Sequence, residues 1–237
     1  MARKQFFCIV DTETTIEDTV ADFGAVIVDK QGKIHHELGI LVAGEFGEKS
    51  LFYNASLPGL WSAKGLEMRN ANYLRLLDSG QRSIATVKGI NTWLAKAIAK
   101  YPGISLTAFN LAFDLDKCRN TGIDLQQFPD SFCLWQLSVG HFCKSRAYRQ
   151  FILDNHLFNN PTDLRNMTFK TDAETVAGFL AGKILPPEPH TALEDARDYE
   201  IPILAAITCR KNWREKAVPY DWRDHQVKNH YQAKKPR

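Results

Sequence analysis

The sequence predicts an α/β fold, a mixed β-sheet with helices packed on its faces. Three apolar strand patterns follow one another closely over residues 6–42, and beyond residue 83 strand and helix patterns alternate. The 237 residues, 44% hydrophobic and 24% charged, are enough for one packed domain with or without a tail.

Phe6-Phe7-Cys8-Ile9-Val10 reads as a buried strand that continues into Asp11-Thr12-Glu13-Thr14. Its apolar stretch is too short for a signal-peptide core and ends in acid. A second strand is expected at Asp22–Val28 and a third at Ile34–Val42, joined across Asp29-Lys30-Gln31-Gly32 as an antiparallel hairpin. Residues 43–83 mix Gly, Asn, Trp61 and short helical patches, which predicts irregular structure with one or two helices. From Ser83 to Ala99 the residues Ile84, Val87, Ile90, Trp93, Leu94, Ala97 and Ile98 fall at helical spacing. Ser83 is placed to cap that helix, and Tyr101-Pro102-Gly103 stops it. A strand over Ile104–Phe109 and a helix from near Asn110 to Thr121-Gly122 come next, then a strand over Ser131–Leu137. Residues 141–185 read as mainly helical, broken at Asn159-Asn160-Pro161. A last helix should run from about Thr191 to Arg210, bent at Pro202.

No apolar run approaches the ~18 residues of a membrane span. The five cysteines, Cys8, Cys118, Cys133, Cys143 and Cys209, are scattered and never form a Cys-x-x-Cys pair. That excludes a disulfide framework or a thiolate zinc site as an expectation and points to the cytoplasm. The net charge of +3 hides an asymmetry: residues 210–237 hold nine Lys and Arg against three acids, leaving 21 basic and 24 acidic groups in the remainder. A boundary near residue 212 would separate a domain over 1–210 from a basic, aromatic-containing extension over 211–237. Such an end suits a protein that handles phosphates, and equally a solvated tail.

Three acidic clusters carry the chemistry. Asp11 and Glu13 stand two apart on a strand, so both side chains project from one face. Two like charges side by side repel unless a cation neutralises them, and hard divalent ions such as Mg²⁺ or Mn²⁺ take oxygen ligands. Asn110 ends the next strand and Asp114 falls in the first turn of the following helix, where the helix dipole favours a carboxylate. His190 precedes the last helix and Asp195 lies in its first turn, so an imidazole able to take a proton near neutral pH is held close to an acid. Each cluster alone also suits a strand running out to solvent, an ordinary first-turn acid or a surface histidine. Together, four carboxylates and one histidine occupy strand ends and helix starts, the places where α/β folds gather ligands.

Asp-Thr-Glu-Thr at 11–14, Asn-Leu-Ala-Phe-Asp at 110–114 and His-Thr-Ala-Leu-Glu-Asp-Ala at 190–196 resemble, in order, the three motifs of the DEDDh 3′-5′ exonuclease superfamily. Its members include proofreading subunits of bacterial replicative polymerases, ribonuclease T and oligoribonuclease. The resemblance spans residues 6 to about 207, and the third motif, with His five residues before Asp, is the most specific. It implies a ribonuclease H-like fold with a five-stranded mixed sheet. It also implies two divalent cations, Mg²⁺ or Mn²⁺, held by Asp11, Glu13, Asp114 and Asp195, with Asp11 bridging and His190 deprotonating the attacking water. The substrate implied is the 3′ end of single-stranded nucleic acid, with DNA favoured, released as nucleoside 5′-monophosphates. An exoribonuclease or oligoribonuclease-like trimming enzyme, and a polymerase-associated nucleic-acid-binding subunit, are the alternatives. A replication or repair partner and a monomeric or homodimeric state are compatible with it. Thr12, Thr14, Asn110 and Phe113 are candidate substrate contacts, and Phe109 could stack on a base or pack in the core. The chain departs from the family at Ile16, where Gly is common, and at Phe109, where His often precedes the Asn. It also has Phe132-Cys133-Leu134-Trp135 where many members carry Asp-Thr. These differences leave the metal site intact and bear on substrate preference.

Overall fold

The computed structural model describes residues 5–232, with side chains to residue 229. Strands β1 (Phe6–Thr14), β2 (Val20–Asp29) and β3 (Ile34–Val42) form an antiparallel meander. Helix α1 (Ala63–Asp78) follows the irregular stretch expected after β3, and then come β4 (Ser83–Ala85), α2 (Val87–Lys100), β5 (Ser105–Ala108), α3 (Leu111–Thr121) and β6 (Ser131–Cys133). The strands form one sheet in the order β4-β3-β2-β1-β5-β6, with β4, β5 and β6 joining in parallel. The architecture is therefore α/β, a mixed sheet flanked by helices.

The sheet has six strands rather than five. The extra strand is β4, which occupies Ser83–Ala85, the residues expected to begin the α2 helix. Thr86, not Ser83, caps α2 by accepting from the N–H of Gly89. Ile84 fits helical spacing, yet it stays 59% exposed on this edge strand. Pairing with β3 is a tertiary event that local spacing does not record. The strand expected over Ser131–Leu137 stops at Cys133, and Leu134 instead opens α4 (Leu134–Ser138), which passes into a π turn over Val139–Cys143.

Beyond this, α5 (Arg146–Asp154), the short hairpin β7 (Phe158–Asn159) with β8 (Thr168–Phe169), and α6 (Ala173–Ala181) bear out helices interrupted near Asn160. The last helix is interrupted earlier than Pro202 suggests. Helix α7 (Ala192–Asp195) widens into a π turn over Ala196–Glu200 before α8 (Ile201–Thr208). Pro202 then falls in the first turn of α8, where its missing N–H leaves little unsatisfied.

Alternation along β1 splits the core. Phe7 and Ile9 face the cluster formed with α4–α8, whereas Cys8 and Val10 face α2 and α3. Asp11 and Glu13 continue the first of these faces, and Thr12 the second.

Within the described residues, the chain beyond residue 210 packs onto the body through Trp213, Val218, Tyr220 and Val227. Trp213 and Val227 are buried in the α4–α8 cluster, and the Trp213 ring lies 6.0 Å from Phe7 and 4.9 Å from Phe132. A Cβ on Gly140 would meet the Lys216 carbonyl oxygen at 1.7 Å, so a glycine there admits this segment against α4. Of the basic and aromatic residues that mark the C-terminal end, the Tyr231 side chain, Lys234, Lys235 and Arg237 lie outside the described residues. Short 3-10 turns, Trp213–Lys216 and Trp222–His225, lead to α9 (Val227–Gln232). Among the described residues no helix is long and apolar enough to cross a membrane.

Candidate metal centre

Strand β1 outruns its neighbour. It pairs with β5 only over Phe7–Ile9, so Val10–Thr14 project past the parallel half of the sheet. The chain leaves β5 through Asn110 and turns into α3, and Asp114 in its first turn reaches the overhang. The Thr12 hydroxyl donates to Asp114 Oδ1 at 2.9 Å. Burial pushes the Asp114 carboxyl up to about 7, against the pull of that bond.

The other side of the overhang is built by the start of α7. Gly24, opposite Asp11 in the β1–β2 register, has no room for a side chain: a Cβ would stand 2.4 Å from the Ala192 carbonyl carbon. Backbone contact at that point sets α7 directly on β2. The N–H groups at its start are satisfied by two acids, Asp22 on β2 and Asp195 within α7 itself. Ala192 N donates to Asp22 Oδ2 at 2.9 Å, and Thr191 N to Asp195 Oδ2 at 3.0 Å. The Thr191 side chain itself makes no capping bond. Arg82, from β4's approach, donates to Asp22 Oδ1 at 3.2 Å and to both oxygens of Glu194. This buried pair fixes the α7 entrance while leaving Asp195 unneutralised.

His190 adopts a left-handed backbone conformation (φ 52°), unusual for a non-glycine residue, and its carbonyl accepts from the Tyr73 hydroxyl at 3.2 Å. That turn carries the imidazole back over β1, with Nδ1 3.5 Å from Glu13 Oε1. Burial pulls the His190 pKa down, but Glu13 and Glu188 outweigh it and leave the value raised. Trp61 lies against the imidazole, ring centroids 4.7 Å apart, and the Arg69 guanidinium sits over the Trp61 ring, 4.8 Å from its centroid. Both come from the stretch that the sequence left irregular, and no local pattern marked either as part of the site.

Glu13, His190 and Asp195 form one tight group, their ligand atoms all within 4.8 Å of one another. Asp11 stands beside this group. Burial raises its pKa first, then Asp114, Asp195, Glu200 and Glu13 each raise it further. Asp195 is pushed up to about 9 by burial and by Glu13, and its Oδ1 is buried without a hydrogen-bond partner. The five expected residues thus meet at one end of β1, with three of them in the tight group and Asp11 and Asp114 adjoining it. Sequence reasoning missed Glu200, which is buried with its Oε2 unpartnered.

An orphaned carboxylate oxygen and several raised carboxyls fit a divalent cation, because buried like charges are relieved by a hard positive ion. Of the expected substrate contacts, Thr12 is engaged with Asp114, and the Thr14 carbonyl accepts from Phe52 N at 2.8 Å. Phe113 is 41% exposed with Lys117 Nζ 5.1 Å from its ring centroid. Asn110, four residues before Asp114, makes no capping bond, and with Phe109, Trp135, Asn159, Thr171, Asp172 and Tyr220 it lines a cavity of about 320 Å³.

Comparison with known proteins adds no family to this geometry: no protein-family model matches the chain, and no curated protein matches it.

Proposed function

We propose that the chain is a metal-dependent 3′-5′ exonuclease with a ribonuclease H-like fold, acting on single-stranded nucleic acid, DNA in the first instance. The observation that carries this reading is the gathering of Asp11, Glu13, Asp114, Asp195 and His190 at the overhanging end of β1, with a buried Asp195 oxygen left unpartnered. The strand order β3-β2-β1-β5-β6 supports the fold assignment, β4 being an added edge.

Asp11, Glu13, Asp114 and Asp195 would hold two cations, Mg²⁺ or Mn²⁺. Bound there, divalent ions supply Lewis acidity at the phosphate and offset charge on the attacking and leaving oxygens. Glu13 faces Nδ1 of His190, which favours the tautomer with its proton on that side and leaves Nε2 to take a proton from the attacking water. Tyr73 holds the His190 backbone, and Arg82 with Asp22 holds the α7 start, so both positioning elements are tied to the body by hydrogen bonds. The cavity lined by Phe109, Asn110, Trp135 and Tyr220 offers aromatic faces and amide groups to a base.

The test is a gel with 5′-labelled single-stranded DNA and RNA of one sequence, with Mg²⁺ and with chelator. A ladder shortening from the 3′ end, abolished by chelator, is expected on DNA. Faster trimming of RNA would move the substrate assignment to RNA. A single internal cut, or hydrolysis that survives chelator, would overturn the proposal.

A further inference from the structure

Glu200 closes the π turn Ala196–Glu200, five residues after Asp195. On a regular α-helix, residues five apart diverge by about 140° around the axis. The wider π turn brings positions i and i+5 toward one face. Both carboxyls are consequently turned to the same end of β1. Glu200 is 2% exposed, and its Oε2 is buried with no hydrogen-bond partner. The Phe109 backbone N–H supports the carboxylate, placing it at the turn between β5 and α3 that also delivers Asp114. After burial, Asp114 is the largest charged influence on Glu200, and Glu200 in turn acts on Asp11.

One tight ligand group stands at the site, made of Glu13, His190 and Asp195. Asp11, Asp114 and Glu200 adjoin it, with Asp114 and Glu200 both opposing charge on Asp11 and Asp114 opposing it on Glu200. Asp195 and Glu200 each keep a buried carboxylate oxygen without a hydrogen-bond partner. A carboxylate that is almost wholly buried, surrounded by acids and short of one hydrogen bond, is unfavourable unless a positive ion completes it.

We propose that Glu200 is a further cation-holding residue, its Oε2 supplying an oxygen to a second divalent ion shared with Asp11 and Asp114. This rests on the metal-dependent reading of the site and extends it from four carboxylates to five. The extra oxygen favours an ion that accepts a full shell of hard ligands.

Calorimetric titration of the full chain with Mn²⁺ alone, without nucleic acid, tests it. Wild type is expected to bind two ions. Glu200→Gln should keep the tighter site and weaken the other by about 10- to 100-fold. Glu200→Gln without metal should also melt no lower than wild type, since a buried charge is removed. If wild type binds two ions and E200Q gives the same isotherm, this inference falls while the metal reading stands. If wild type binds no Mn²⁺, the reading of the site falls with it. Should circular dichroism show E200Q unfolded, Glu200→Asp replaces it, keeping the charge but withdrawing the oxygen. A wild-type isotherm for E200D would overturn the proposal, and a weakened second site would support it.

Discussion

Asp195 is held in conflict with its surroundings: burial, Glu13 and Glu188 all oppose its charge, and one oxygen has no donor. In the unfolded chain the group ionises near its ordinary value of 3.8, whereas in the fold it keeps its proton up to about 9. Between those values the unfolded chain binds fewer protons, so this residue's contribution to stability is full at acid pH and is lost as pH rises toward 9. Asp195→Asn keeps an oxygen to accept from Thr191 N and removes the charge. In chelator it is expected to equal wild type near pH 4 and to exceed it at pH 8 by about 1–2 kcal/mol, roughly 2–8 °C in Tm. Mg²⁺ should raise the wild-type midpoint and leave the variant's in place. Melting curves at the two pH values check this, and a variant that is less stable at pH 8 would mean the carboxylate is satisfied within the protein.

At the scale of elements, the α7 start depends on bare backbone at Gly24. Gly24→Ala would thrust a methyl into the Ala192 carbonyl, and backbone on both sides leaves no side chain to yield. The expected loss is about 1–3 kcal/mol in urea unfolding, together with weaker Mn²⁺ binding as His190 and Asp195 move off β1. Stability unchanged within error would show that α7 does not rest there. The same element shows what the sequence made legible. The β1 acids, the Asn110–Asp114 turn and the His190–Asp195 spacing are local patterns, and they fall where strand alternation and first-turn position put them. Glu200 was hidden because it shares a face with Asp195 only through a π turn, and helical spacing assigns it elsewhere. Ser83–Ala85 carries a helical pattern because Ile84 and Val87 keep helical spacing, while the partner that makes it a strand is β3, where Ile40, 43 residues earlier, stands opposite Ser83. Trp61 and Arg69 reach the site by tertiary packing that no short motif encodes.

On the scale of the whole molecule, the C-terminal segment that carries Trp213 and Val227 is part of the core. Trp213 fills the space between Phe7 on β1 and Phe132 on β6, and His141 contacts its carbonyl oxygen at 2.9 Å. Arg214 pairs with Asp130, so some of the basic charge counted in this end is spent on the body. Trp213→Ala is expected to cost about 3–5 kcal/mol, measured by denaturant unfolding. A loss within about 0.5 kcal/mol is what a solvated appendage would give. The basic residues that remain exposed here lie on the chain that also supplies Tyr220 to the cavity lined by Asn110.

The contact of Trp61 with His190 makes the site report on itself optically. An excited indole is quenched more strongly by a protonated imidazole than by a neutral one, and the rings stand 4.7 Å apart. Emission should therefore climb with pH, with a midpoint above 6.5 because Glu13 and Glu188 hold the proton on the ring. The wild-type spectrum minus that of Trp61→Phe isolates this one fluorophore among the five tryptophans. A cation arriving at Glu13 would withdraw that support and slide the midpoint downward, so loading could be followed by light in a cuvette holding neither substrate nor label. A difference signal flat across pH would mean that the two rings part company in solution.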